Sequence, residues 1–112
     1  MTVNEYQTLA MKTLNPEISK HDMLVNSVMG LCGESGEAVD IVKKHLFHGH
    51  ALDRDELIKE LGDVAWYLAE AATALDVSLD DMLAANIEKL KCRYPEGFDT
   101  ERSQNRADET EK

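Results

Sequence analysis

Apolar residues recur along most of the chain at three- and four-residue intervals, while strict two-residue alternation is nearly absent, so the pattern predicts helices and gives strands little support. A first helix is predicted from about Thr2 to Leu14, with Tyr6, Leu9, Ala10 and Leu14 as its stripe and Thr2 and Glu5 at capping-box spacing. Asn15 and Pro16 end it. A second begins near Ser19 to Met23 and continues to about His48 on a stripe of Leu24, Val28, Leu31, Ala38, Val39, Val42 and Leu46, with Gly49 suited to its C-terminal cap. Asp53 and Glu56 form another capping pair and open a third helix, which carries Leu57, Leu61, Val64, Trp66, Leu68 and Ala72 to about Leu75. Ser78 caps a fourth, with Leu79, Met82, Leu83, Ile87 and Leu90 inward, until Tyr94 and Pro95. Short connections make neighbours antiparallel, so the expected fold is all-α, an antiparallel four-helix bundle-like domain over residues 1–98.

The remaining segment, 99–112, has eight charged residues among its 14 and no apolar side chain larger than alanine. It reads as a charged, flexible tail unless a partner captures it.

Composition narrows the function. Lys and Arg total 12 against 22 Asp and Glu, a formal net charge of −10 that excludes a nucleic-acid-binding surface. An acidic ligand then requires a cation between it and the protein. No apolar run approaches the roughly 20 residues that span a bilayer, and the opening MTVNEYQTLAMKTL is neither a secretory signal nor a basic transit peptide. The expectation is a cytoplasmic protein without a membrane partner. A single core in 112 residues also benefits from oligomerisation. Cys32 and Cys92 lack metal-binding spacing and read as reduced thiols packed as small apolar residues.

The candidate chemistry lies in two acidic pairs. Glu34 and Glu37 are three apart on the second helix, and Glu60 and Asp63 three apart on the third. Three residues advance about 4.5 Å and return most of a turn, so each pair projects from one face. Ser27, Gly30, Glu34, Glu37 and Ile41 share a strip beside the apolar stripe, and Glu60 and Asp63 lie beside Leu57, Leu61, Val64 and Tyr67. Four carboxylates converging at the edge of a core repel one another unless a cation compensates, and an all-oxygen donor set suits Mg²⁺ or Mn²⁺. Solvated acids on amphipathic helices give the same spacing. Gly30, Gly33 and Gly36 cost about 1 kcal/mol each in mid-helix, which close helix approach or room for a ligand would account for.

The run Gly33-Glu34-Ser35-Gly36-Glu37, followed after 22 residues by Glu60-Leu61-Gly62-Asp63, resembles the GExxE…ExxD pattern of MazG-type nucleotide pyrophosphohydrolases, part of the all-α NTP pyrophosphatase group. The resemblance extends through Asn86-Ile87-Glu88-Lys89-Leu90 and Arg93-Tyr94-Pro95, over roughly residues 20 to 98. It implies hydrolysis of the α–β phosphate bond of a nucleoside triphosphate, with Glu34, Glu37, Glu60 and Asp63 as catalytic residues and ligands of Mg²⁺, Mn²⁺ being a substitute. It also implies phosphate contacts from Asn86 and Lys89 and association as a homodimer or a homotetramer built from two dimers. Arg93 is a further phosphate candidate, and Trp66 and Tyr67 are candidates for stacking on the base, although an aromatic on a helix flank is more often core.

Glu56 is either an extra ligand or base or simply part of the Asp53 cap. His45, His48 and His50 form an apparent cluster that reads as helix-end packing. Two other functions share these features. A noncatalytic helical dimerisation or regulatory module would retain the bundle but is expected to lack a ligand, and all four acids are present. A di-iron protein would use Glu-x-x-His, where this chain has Glu37 and Asp63.

Overall fold

A computed structural model describes residues 1–107 of the chain, so the end of the tail, 108–112, lies outside the described residues. Five helices follow in order: α1 (Val3–Met11), α2 (Lys20–Phe47), α3 (Arg54–Ala74), α4 (Leu79–Arg93) and α5 (Thr100–Gln104). There is no strand among the described residues, only an isolated bridge between Pro95 and Gly97. The all-α expectation therefore holds.

Helix starts follow the capping logic. Thr2 Oγ1 accepts from Glu5 N at 3.1 Å, Ser19 Oγ from Asp22 N at 3.1 Å and Asp53 Oδ1 from Glu56 N at 3.1 Å. Each satisfies a backbone donor that the first turn leaves unpaired. At the other end of α2, Gly49 takes φ +73, a left-handed conformation that stops the helix. Asp99 caps α5 inside the segment expected to be flexible, its Oδ1 accepting from Glu101 N at 2.8 Å and Arg102 N at 3.2 Å.

The chain divides into two compact units, Met1–Leu79 and Asp80–Lys112. In the first, α2 and α3 form an antiparallel hairpin whose open end is tied by Lys20 Nζ, which donates to Thr73 O at 2.8 Å and pairs with Asp76 Oδ1 at 2.6 Å. Helix α1 lies along α3. Gln7 Nε2 donates to Thr73 Oγ1 at 3.0 Å and Val77 O at 3.2 Å, and its Oε1 accepts from Leu79 N at 2.7 Å. Trp66 Nε1 donates to Ala10 O at 3.1 Å and Thr13 Oγ1 at 2.8 Å. Trp66 thus pins α1 to α3 by its indole edge.

Most of the apolar stripe expected to be the inner face of α2 looks outward, with Leu31 and Ala38 half-buried. Val28, Val39 and Leu46 are 54%, 64% and 63% exposed, whereas the residues of α2 that are buried are Met23 and Ser27. The reason is the character of the α2–α3 contact, which is built from small and polar residues that let the backbones approach. Gly30 has no room for a side chain, since a Cβ there would fall inside the Tyr67 ring. Gly33 and Gly36, by contrast, face open space. In the second unit, Leu83 and Ile87 of α4 are likewise exposed. Both cysteines are free and exposed, not packed as expected, because Cys32 and Cys92 sit on outward faces of α2 and α4.

Candidate metal centre

One turn of α2 beyond the Gly30–Tyr67 contact, Glu34 comes opposite Glu60 and Asp63 of α3. One carboxylate oxygen from each of these three lies within 4.8 Å of the others. Glu34 and Glu60 are half-buried and Asp63 is exposed, so the cluster stands midway along the hairpin with one side open. Oxygens on opposite sides of a Mg²⁺ ion bound at about 2.1 Å are about 4.2 Å apart, so small side-chain movements would let the trio grip such an ion.

The electrostatics agree with a cation site. The Glu60 carboxyl is raised above its ordinary value of 4.5, first by a hydrogen bond with Glu34, then by burial and by the charges of Glu34 and Asp63, against an opposing hydrogen bond with Glu56. Like charges this close favour retention of a proton, and a divalent ion would substitute for it. The field extends to α1: the Tyr6 phenol is pushed up by burial and, secondarily, by the charge of Asp63.

A carboxyl raised on folding keeps its proton in the folded chain at pH values where the unfolded chain has released it. Metal-free stability therefore falls as pH rises from 4.5 through the raised value. In EDTA, the urea midpoint of Glu60→Gln is expected to fall less steeply with pH over that window than the wild-type midpoint. Parallel slopes would show that Glu60 carries no such burden.

Glu37 is not in the trio. It is exposed, one turn further along α2, and its charge adds to that of Asp40 in holding up the Lys44 ammonium. The three-residue step that keeps Glu60 and Asp63 together on α3 does not bring Glu37 to the cluster with Glu34. Glu56 takes its place in the cap, its N–H donating to Asp53 Oδ1, and its carboxyl bonds to Glu60 without joining the trio.

A cavity of about 330 Å³ adjoins Asp63 and is lined by Thr13, Asp63, Trp66 and Tyr67. Trp66 and Tyr67 meet edge to face with centroids 5.1 Å apart. Because the Trp66 N–H is spent on α1, the indole can offer this cavity only its apolar surface. Asn86, Lys89 and Arg93 occupy one face of α4 in the second unit, the first two exposed and Arg93 half-buried. The histidines form no ligand set: His45 Nδ1 donates to His50 O at 2.9 Å, closing the end of α2.

Sequence reasoning missed one pair. Glu70 is fully buried, and both its carboxyl oxygens accept from Asn26 Nδ2, at 2.8 and 3.1 Å. Its spacing of seven from Asp63, within the alanine-rich run Leu68-Ala69-Glu70-Ala71-Ala72, was the available signal.

No helix among the described residues is long and apolar enough to cross a membrane. No solved structure matches the chain. It is 44% identical over 73 residues to the Gene 37 protein of Mycobacterium phage L5, a match that covers 62% of this chain and 64% of the phage protein, just under two thirds of the latter's length. Residues 25–98 match the MazG nucleotide pyrophosphohydrolase domain, and this stretch contains α2 except its first five residues, all of α3 and α4, and every acid of the cluster. With the helical hairpin, the acidic pairs and this match in agreement, the chain belongs to the MazG nucleotide pyrophosphohydrolase family.

Proposed function

We propose that the chain is a Mg²⁺-dependent nucleoside triphosphate pyrophosphohydrolase that cleaves the α–β phosphate bond to give a nucleoside monophosphate and pyrophosphate, and so serves to cleanse or adjust a nucleotide pool. The observation that carries this reading is the meeting of Glu34, Glu60 and Asp63 inside the family-matched region. These three would hold the ion, with Glu37 as the fourth acid of the family pattern. When bound, Mg²⁺ supplies charge neutralisation for the phosphates and lowers the pKa of a coordinated water.

The chain's own residues do the rest. A carboxylate of the cluster orients or accepts a proton from the attacking water, and the chain's net charge of −10 disfavours phosphate that carries no cation. Asn86 contributes a neutral donor, and Lys89 and Arg93 contribute cations for phosphate oxygens. The apolar surface of Trp66 provides a platform for a base. The test is a panel of canonical and modified triphosphates with Mg²⁺, with pyrophosphate and orthophosphate measured separately. Pyrophosphate release is expected. Orthophosphate release, or none of either, sinks the assignment.

The same reading includes self-association. The outward stripe of α2 runs from Leu24 to Leu46, about 33 Å at 1.5 Å per residue. Towards its end Val39, Val42, Leu46 and Phe47 join Leu57 and Leu61 around an apolar groove of about 570 Å³. An exposed apolar stripe that leads into an apolar groove suits an interface between copies, for which about 800 Å² per partner is the ordinary size. Light scattering at micromolar concentration is expected to give a dimer or larger for the wild type and monomer for Val39→Glu/Leu46→Glu. A wild-type monomer would refute the arrangement.

A further inference from the structure

The α2–α3 contact is a ladder of three rungs in which each turn along α2 meets a turn back along α3. Asn26 binds Glu70, Gly30 receives the Tyr67 ring, and Glu34 meets Glu60 and Asp63. The last rung is the metal centre. The first is unusual chemically. A carboxyl group with no exposure sits beside Ala69 and Ala72, themselves fully buried, and within the described structure its hydrogen bonds come from one neutral amide. A methionine or leucine there would bury as much surface without removing a strongly hydrated group from water. Buried polar pairs of this kind are poor sources of stability, and their best-attested use is to fix the register of one helix against another.

Register matters here, and the contact fixes it at two rungs besides the metal centre, the Tyr67 ring seated against Gly30 and the Asn26–Glu70 pair. Small side chains such as Ser27 and Ala69 leave the rest of the contact smooth, whereas the Asn26–Glu70 bonds are satisfied at one axial position only. A slip of one residue along α2, about 1.5 Å with a rotation of about 100°, would carry the Glu34 carboxylate out of reach of Glu60 and Asp63.

We propose that Glu70 and Asn26 are positioning residues for the divalent-metal centre, fixing the register of α2 on α3 so that Glu34 meets Glu60 and Asp63. This rests on the metal-site reading given above. The test compares three full-length chains, wild type, Glu70→Gln and the double variant Asn26→Leu/Glu70→Met, by Mn²⁺ titration followed by electron paramagnetic resonance and by thermal unfolding in EDTA. Glu70→Gln keeps an oxygen to accept from Asn26 and is expected to bind Mn²⁺ within about threefold of wild type. The double variant replaces both polar partners with apolar groups, a change that is often neutral or stabilising. It is expected to keep or raise the Tm in EDTA while Mn²⁺ affinity falls at least tenfold.

Wild-type Mn²⁺ affinity in the double variant would overturn the proposal, and so would a loss of Tm in step with affinity, which would make the pair ordinary packing. A Glu70→Gln chain as weak as the double variant would also overturn it. Absence of Mn²⁺ binding by the wild type is a different result, since it removes the metal centre itself and with it the function the pair is proposed to serve.

Discussion

Asp63→Asn is expected to abolish measurable Mg²⁺-dependent turnover while making the metal-free protein more stable. The two effects share a cause. Asp63 contributes one of three converging oxygens, and its charge is among those that raise the Glu60 carboxyl. An amide keeps the shape, removes the repulsion and binds a divalent ion poorly. Loss of a single charge-stabilising contact costs catalysis about 100-fold or more, and loss of a ligand to the ion that neutralises the phosphates is expected to exceed that. The checks are pyrophosphate release at saturating triphosphate and Tm in EDTA. Glu37→Gln separates the two effects: as the fourth acid of the family pattern it is expected to lose turnover too, but it lies outside the trio and is expected to leave the metal-free Tm unchanged. Wild-type rates in both variants would show that the acids serve another purpose.

The second large effect is expected at Gly30, where alanine should destabilise the fold despite being the better helix former. On an exposed helix, glycine to alanine gains about 1 kcal/mol. Here the new methyl would occupy the space of Tyr67 Cδ1, Cε1 and Cζ, so the whole ring must move, and overpacking of this kind costs about 1–3 kcal/mol. The ring is also held by the edge-to-face contact with Trp66, which is itself bonded to Ala10 O and Thr13 Oγ1. The contest between the two terms can be made to change sign. With Tyr67→Ala in place the obstruction is gone, and Gly30→Ala is expected to stabilise that background by about 1 kcal/mol. Urea midpoints of the four chains in this cycle decide it, and a Gly30→Ala chain more stable than wild type in both backgrounds would show that the helices do not approach as described.

Helix positions were legible in the sequence because their signals are local. Thr2, Ser19 and Asp53 cap from within three residues of the groups they satisfy, and Gly49 stops α2 through its own backbone conformation. The convergence of Glu34 with Glu60 and Asp63 was legible in part: the helical period and an antiparallel connection allow it, but they fit solvated acids as well and also put Glu37 in the cluster, from which it is absent. Which face of α2 meets α3 was not. The most hydrophobic stripe, Leu24 to Leu46, was assigned inward, yet hydrophobicity ranks faces without saying which neighbour covers them, and α3 took the strip of Ser27, Gly30 and Glu34. Glu70 left only its place in an alanine-rich run as a trace: an acid in a helix ordinarily means solvent, and only the fold reveals Asn26 opposite it. In the tail, charge density spoke for disorder, while Asp99 alone provides enough local bonding to start α5.

Trp66 is the chain's sole tryptophan, and its ring nitrogen is shared between the Ala10 carbonyl and the Thr13 hydroxyl. Its emission colour is therefore an intrinsic optical gauge of whether α1 is docked. A red shift preceding loss of the far-ultraviolet helical signal would reveal the first helix peeling away from a hairpin that is still intact, without any label having been attached.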